Sequence, residues 1–150
     1  MIDIRRCTID QIVSAPNYRA VIAEYAAESS IPEMGEINPQ LDTYRSFEKV
    51  GMLFPIGAFD GELLAGMILP MATTVPHYGV MTAVAESFFV RADCRCTGLG
   101  LRLLAAAEEL AKSLNCKAFL LSAPAGGALS QVMHKKKGYR HSNEAFVKAL

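Results

Sequence analysis

Glu86-Ser87-Phe88-Phe89-Val90-Arg91-Ala92-Asp93-Cys94-Arg95-Cys96-Thr97-Gly98-Leu99-Gly100 joins an apolar run to a long helical pattern through two glycines. A strand ends at Val90, a short loop follows, and Gly98 and Gly100 stand where the helix begins. Glycine admits a ligand close to the main chain, and the first N–H groups of a helix have no carbonyl partner inside it. Those free donors and the positive end of the helix dipole form an anion site. Arg95 adds a formal charge at its edge, and a phosphate or pyrophosphate is the natural guest. The same Gly-x-Gly spacing also suits a helix start that needs small residues for packing, so spacing alone leaves both readings open. A nucleotide P-loop would need Gly-Lys followed by Ser or Thr, which is absent. A dinucleotide fingerprint would need a third glycine, but position 103 is Leu, and the strands upstream look like a meander.

Downstream, Leu99, Leu103, Ala107, Leu110, Ala111 and Leu114 recur at helical spacing, and Asn115 suits a left-handed end to that helix. Ala118 to Leu121 reads as a short buried parallel strand. Ala128 to Lys136 reads as a helix stopped by Gly138, and Ala145 to Leu150 as a last strand. Upstream, Val80 to Val90 and Leu63 to Thr73 read as long strands separated by a turn at Pro76-His77. Pro70 marks a bend or an edge. Asp60-Gly61 predicts a type I′ hairpin to the strand Met52 to Phe59. Nearer the start, Ile2 to Arg6 alternates as a strand, and Thr8 to Gln11 reads as a capping box. Pro16 interrupts that helix, and Tyr18, Val21, Ile22 and Tyr25 continue helical spacing to about Glu28. After a loop, Asn38-Pro39 reads as a cap and first helical position, with Leu41, Tyr44 and Phe47 on one face and Gly51 as the stop. The order is strand, two helices, three antiparallel strands, then a β-α-β-α unit. No repeat or linker divides the chain, so 1–150 reads as one α/β domain.

The chain has 150 residues, 51% hydrophobic and 20% charged, which suits a folded domain with a real core. Lys+Arg and Asp+Glu are both 15, so net charge does not mark a binder of nucleic acid or membrane surface. Charge is nevertheless uneven: residues 1–90 carry a net −6 and residues 91–150 a net +6. A basic half can hold an anionic ligand, and an acidic half can attract a cationic one. No apolar run of about 18 residues exists to cross a membrane, and the charged start does not suit a signal peptide. A cytoplasmic location is the expectation. Cys7, Cys94, Cys96 and Cys116 show no metal-ligand spacing and read as reduced thiols, and three scattered histidines imply no metal site.

Arg95-Cys96-Thr97-Gly98-Leu99-Gly100 resembles the R/Q-x-x-G-x-G/A motif of the GNAT superfamily of N-acetyltransferases. Met133-His134-Lys135-Lys136-Lys137-Gly138-Tyr139 is similar to that family's L-Y-E-K-x-G-F ending, and the element order agrees over essentially the whole chain. Small stand-alone members, including ones carried by phages, look much like it. The resemblance implies a mixed central sheet whose splayed strands form an acetyl-CoA cleft. Acetyl-CoA would be the cosubstrate, its pyrophosphate on the N–H groups of Arg95, Cys96, Thr97, Gly98, Leu99 and Gly100. Its pantetheine arm would lie along Phe88, Phe89 and Val90, whose main-chain groups lack strand partners. Phe88 and Phe89 point to opposite faces, and at least one of them is core.

Transfer requires an uncharged amine to attack the thioester carbonyl. A base takes its proton, donors steady the oxyanion, and an acid can protonate the leaving thiolate. The family often attacks directly, without an acyl-enzyme, so no catalytic cysteine is implied. Glu86 is the candidate base: it lies on the strand where the family often places its glutamate, among small and apolar neighbours that would raise its pKa. The alternative is a surface glutamate paired with a base. The N–H near Phe88 would be the oxyanion donor by resemblance. His134 stands where the family has a tyrosine that donates to the CoA sulfur, and histidine can take that role; it can equally be an exposed helix residue. Gly127 replaces the family's asparagine, a second departure. Lys135-Lys136-Lys137 suits either the 3′-phosphate of CoA or a solvated helix end, and Ser122 lies at the end of the second splayed strand.

The expected acceptor is a small-molecule or peptide amine. Glu24, Glu28, Glu33, Glu36 and Asp42 would make an acidic rim favouring a cationic one, unless they are simply solvated. A homodimer through exposed edges fits the family. The alternative function, motivated by His134 and Gly127, is an inactive CoA-binding or protein-interaction module of the same fold.

Overall fold

A computed structural model describes residues 1–150. Five strands form one sheet in the order β1-β2-β3-β4-β5: β1 (Ile2–Arg6), β2 (Ile56–Asp60), β3 (Leu63–Val75), β4 (Val80–Val90) and β5 (Phe119–Leu121). The first three pairings are antiparallel and β4–β5 is parallel. On one face lie α1 (Ile9–Val13), α2 (Tyr18–Ser29) and α3 (Leu41–Lys49). On the other lie α4 (Leu99–Ser113) and α5 (Ala128–Lys135), with Met133 of α5 packed against the α4 core.

The two faces hold separate cores. Leu99, Leu103, Leu104, Ala107 and Leu110 of α4 pack on Ile56, Ala58, Ile68, Ala85 and Val90. Ile9, Ile12 and Val21 pack on Phe59, Leu64, Met67, Leu69 and Phe89 from the other side. Phe88 joins the α4 core while Phe89 is buried in the second one, so the two rings do point to opposite faces. Burying each such side chain contributes about 1.5–3 kcal/mol relative to leaving it in water.

Local chemistry explains the joints. The Thr8 hydroxyl accepts the Gln11 N–H at 3.1 Å and the Gln11 side chain accepts the Thr8 N–H at 2.9 Å, the expected reciprocal cap of α1. Asn17 then ties α2 to the sheet. Its amide donates to the Leu64 carbonyl at 3.0 Å and accepts the Leu64 N–H at 2.9 Å. Asn115 has φ +57, the left-handed turn expected after α4.

Four expectations are corrected. Between β2 and β3 only Gly61, the first loop residue, has positive φ, which is the sign pattern of a type II′ turn and not I′. Gln40, not Asn38, caps α3, which begins at Leu41. β5 is an edge strand, with Leu120 40% exposed, because only β4 pairs with it. Residues 145–150 form no strand, and Phe146 and Val147 are exposed. Strand-favouring side chains do not make a strand without an edge to pair with, and β5 offers only three residues. No helix is long and apolar enough to cross a membrane.

Candidate active site

Pro70 lies in a central strand at the point where the β3–β4 ladder changes register. Leu69 pairs with Ser87, but Pro70 pairs with Ala85, so Glu86 is an extra residue in β4. Pro70 has no N–H to lend to a ladder, so a bulge beside it is a natural outcome. The consequence appears in the side chains. Ala85 before the bulge and Phe88 and Val90 after it all face the α4 core. The consecutive residues Glu86 and Ser87 instead both line a cavity on the α1–α3 face.

That cavity has a volume of about 510 Å³ and lies under α2, α3 and the loop between them. At its floor the Tyr44 hydroxyl donates to Glu86 Oε1 at 2.9 Å, and the Ser87 hydroxyl donates to Glu86 Oε2 at 2.7 Å. Two donors therefore fix the carboxylate. Burial, with the neighbouring Glu86 charge second, pushes Tyr44 above the ordinary tyrosine range, so it stays a neutral donor. Glu86 itself is exposed to the cavity opening and not enclosed by apolar neighbours as expected. Ser87 and Tyr44 were not singled out from the sequence. Tyr44 sits on the apolar face Leu41-Tyr44-Phe47, where a hydroxyl must find a partner.

β4 meets β5 only from Ala83 to Ala85, then runs on alone to Val90. The edge from Glu86 onward thus has no strand partner on the β5 side, and the sheet opens there. Beyond it, Ala92–Thr97 forms a 3-10 helix and Gly98 turns the chain into α4 with φ +74. The first bond of α4 runs from the Arg102 N–H to the Gly98 carbonyl, which leaves the amides of the first turn free of helical partners. A Cβ on Gly100 would lie 3.6 Å from the Phe88 ring and 3.7 Å from Val90. Gly98, Leu99 and Gly100 are therefore brought against the open stretch of β4. Cys96 and Thr97 are exposed at the same turn, with the Thr97 hydroxyl donating to the Cys94 carbonyl.

Arg95 is held elsewhere. Its Nε–H donates to the Val90 carbonyl at 2.9 Å, and its guanidinium pairs with Glu28 of α2 at 2.8 Å. Glu24 of α2 accepts the Ala92 N–H at 2.7 Å. So two carboxylates of the expected acidic rim instead clasp the turn before α4. A third, Asp42, pairs with Arg45. Of that rim only Glu36 lines the cavity.

His134 is exposed on α5, edge-on to His141 with ring centroids 5.3 Å apart, and does not line the cavity that holds Glu86. Lys135 and Lys137 are exposed, as is Ser122. Gly127 caps α5, and a Cβ there would lie 3.2 Å from the Pro124 carbonyl oxygen, so a larger residue would crowd the turn. The cysteines form no disulfide, and burial pushes the Cys7 thiol up to about 11.

A model of the acetyltransferase (GNAT) family matches residues 18–139. No curated protein matches the sequence. Among solved structures, the chain is similar to a ribosomal-protein-alanine N-acetyltransferase from Brucella melitensis biovar Abortus 2308, with 15% identity, TM-score 0.73 and 99% of each chain covered. It is similar to a transcriptional regulator from Bacillus halodurans C-125, with 20% identity, TM-score 0.72 and 100% of each chain covered. It also resembles AAC(6')-Iy in complex with the bisubstrate analogue CoA-S-monomethyl-acetylneamine, with 14% identity, TM-score 0.72, and 99% and 97% of the two chains covered. The open sheet, the glycine-led start of α4 and the family match over most of the chain agree: this protein belongs to the GNAT family of acetyltransferases.

Proposed function

We propose that the protein transfers the acetyl group of acetyl-CoA to a primary amine, with Glu86 as the base. One observation carries the reading: the bulge turns a carboxylate fixed by Tyr44 and Ser87 into a cavity beside the open edge of β4. The residues present suit the cosubstrate. Free amides at the start of α4 suit an anion, and the edge of β4 from Phe88 to Val90, which has no strand partner on the β5 side and whose Val90 carbonyl is taken by Arg95, suits an amide-bearing arm. Phe88 and Val90 also support Gly100 from behind, and Phe89 anchors the strand in the opposite core. Arg95 acts here through position: clasped by Glu28, it holds the turn rather than the anion.

In the reaction the amine nitrogen attacks the thioester carbonyl, a C–N bond forms, and the C–S bond breaks to release the CoA thiol. The Glu86 carboxylate takes the proton that the incoming ammonium must lose before its nitrogen can attack. Tyr44 and Ser87 keep both its oxygens oriented, and the main-chain N–H near Phe88 steadies the oxyanion. We assign the leaving thiolate's proton to His134 as an aid and not a requirement, because a thiol of pKa about 8.5 leaves readily as thiolate.

Glu86→Gln should lower kcat by about 100-fold or more while CoA binding, read by calorimetry, stays unchanged. Full turnover in that variant would remove Glu86 as the base. Unchanged kcat in His134→Ala would release His134 from any role in the transfer.

A further inference from the structure

We propose that the acceptor is an amine carrying one positive charge on an apolar body, aryl or branched alkyl, and that polycations are poor acceptors. The inference rests on the transferase reading and assigns the substrate class of the same cavity.

Three observations converge. First, more than half of the lining is hydrophobic, including Ile22, Tyr25, Leu41, Phe47, Met67 and Leu69, and the polar lining residues of α2, α3 and the loop between them are uncharged apart from Glu36. A second ammonium placed there would lose its water and find no carboxylate partner other than Glu36.

Second, the acids that would draw in a polycation are engaged, except Glu36 and Glu33, and Glu33 does not line the cavity. Glu24 and Glu28 hold the turn before α4, Asp10 and Asp42 hold Arg45, and Glu48 accepts the Ile9 N–H at 3.1 Å. The carboxylates left lining the cavity are Glu86 and Glu36. Glu86 is needed for the reacting nitrogen, and Glu36 is on the loop at the mouth.

Third, the mouth carries exposed apolar side chains beside Glu36. Ile31 (43% exposed), Met34 (77%) and Ile37 (38%) line the cavity from the loop between α2 and α3. The hydrogen bonds of this loop are local: Met34 to Ile31, Gly35 to Pro32, and the Gln40 side chain to Asn38. Apolar side chains left in water around a pocket mark the surface that a guest covers. An apolar body seated under Ile31, Met34 and Ile37 would remove their surface from water together with its own.

The test uses the whole protein with acetyl-CoA and four acceptors: phenethylamine, isoamylamine, spermidine and neamine. Thiol release is followed for each, and phenethylamine and spermidine are also titrated by calorimetry in the presence of CoA. The expected result is a kcat/KM for phenethylamine or isoamylamine at least about tenfold above that for either polycation, the order expected for one unpaired polar group. Met34→Glu, a change at an exposed loop position, should narrow that ratio by supplying a further carboxylate beside Glu36. Spermidine or neamine turning over as well as the apolar amines would overturn the inference and leave the transferase reading standing. No turnover with any of the four would remove the transferase reading, and the titrations then decide the cavity alone. Heat from phenethylamine and none from spermidine would then uphold the cavity's preference for a singly charged apolar amine as ligand, whereas equal heat, or none from either, overturns it.

Discussion

Residues 53–111 and residues 112–150 are built on different terms. The first stretch supplies most of the buried side chains, including β2, β3, β4 and α4; the second supplies none. Glu86, Ser87 and the glycine-led start of α4 belong to the first. His134, the lysine run and Ser122 belong to the second. Glu86 and the first-turn amides of α4 are thus set in a frame packed from both faces of the sheet, while residues 112–150 add an edge strand and an outer helix. Residues in the first region should respond to substitution as core does, and those in the second as surface does.

That contrast can be broken most directly at Leu103, which is fully buried between α4 and the sheet. Leu103→Ala should lower unfolding free energy by about 3 kcal/mol, measured by urea denaturation. A loss below about 1 kcal/mol, the ordinary scale for a point change, would mean that α4 is not the keystone of that face.

Asn17 sharpens the comparison, because it shows a polar tie into the same frame. Asn17→Ala leaves both main-chain groups of Leu64 short of their partners and should cost about 1–2 kcal/mol. Asn17→Asp should recover part of this, since it still accepts the Leu64 N–H.

A smaller effect is expected at Cys7, whose thiol burial pushes up from 9.0 to about 11. A group with a raised pKa in the fold stabilises it fully below the unfolded value and loses that contribution as pH rises through the folded one. Stability should therefore fall between about pH 9 and 11, and Cys7→Ala should flatten that limb of the Tm profile. An unchanged slope would show that the fold does not raise the pKa of this thiol. The smallest effect belongs to the second region: Phe146→Ser should shift stability by no more than about 0.5 kcal/mol, and a larger loss would mean that residues 145–150 pack in solution.

Much of the fold was readable along the chain because the signals are local. The apolar run Val80–Val90, the reciprocal cap of α1, the stop after α4 at Asn115 and the glycine pair at 98 and 100 each show themselves within a few residues. What could not be read depends on partners distant in sequence. Arg95 was placed at the anion site by its charge, but its partner Glu28 is 67 residues away. Tyr44 looked like part of an apolar stripe, and the carboxylate that gives its hydroxyl a role is 42 residues on. The open face of β5 and the missing last strand have the same origin, since edge pairing is set by neighbours and not by propensity.

The same holds for the extra residue in β4, and it reaches beyond this site. The strand carries one reading frame up to Ala85 and the opposite frame from Ser87 onward, with the Glu86 carboxylate at the junction. Removing Glu86 would return the strand to plain alternation and leave Phe88 and Phe89 in their cores, whereas removing a residue elsewhere in the strand would swap inside for outside between that residue and the bulge. Variation in what the protein accepts is therefore expected to arise in the loop between α2 and α3, which can change length freely, while the strand keeps its count.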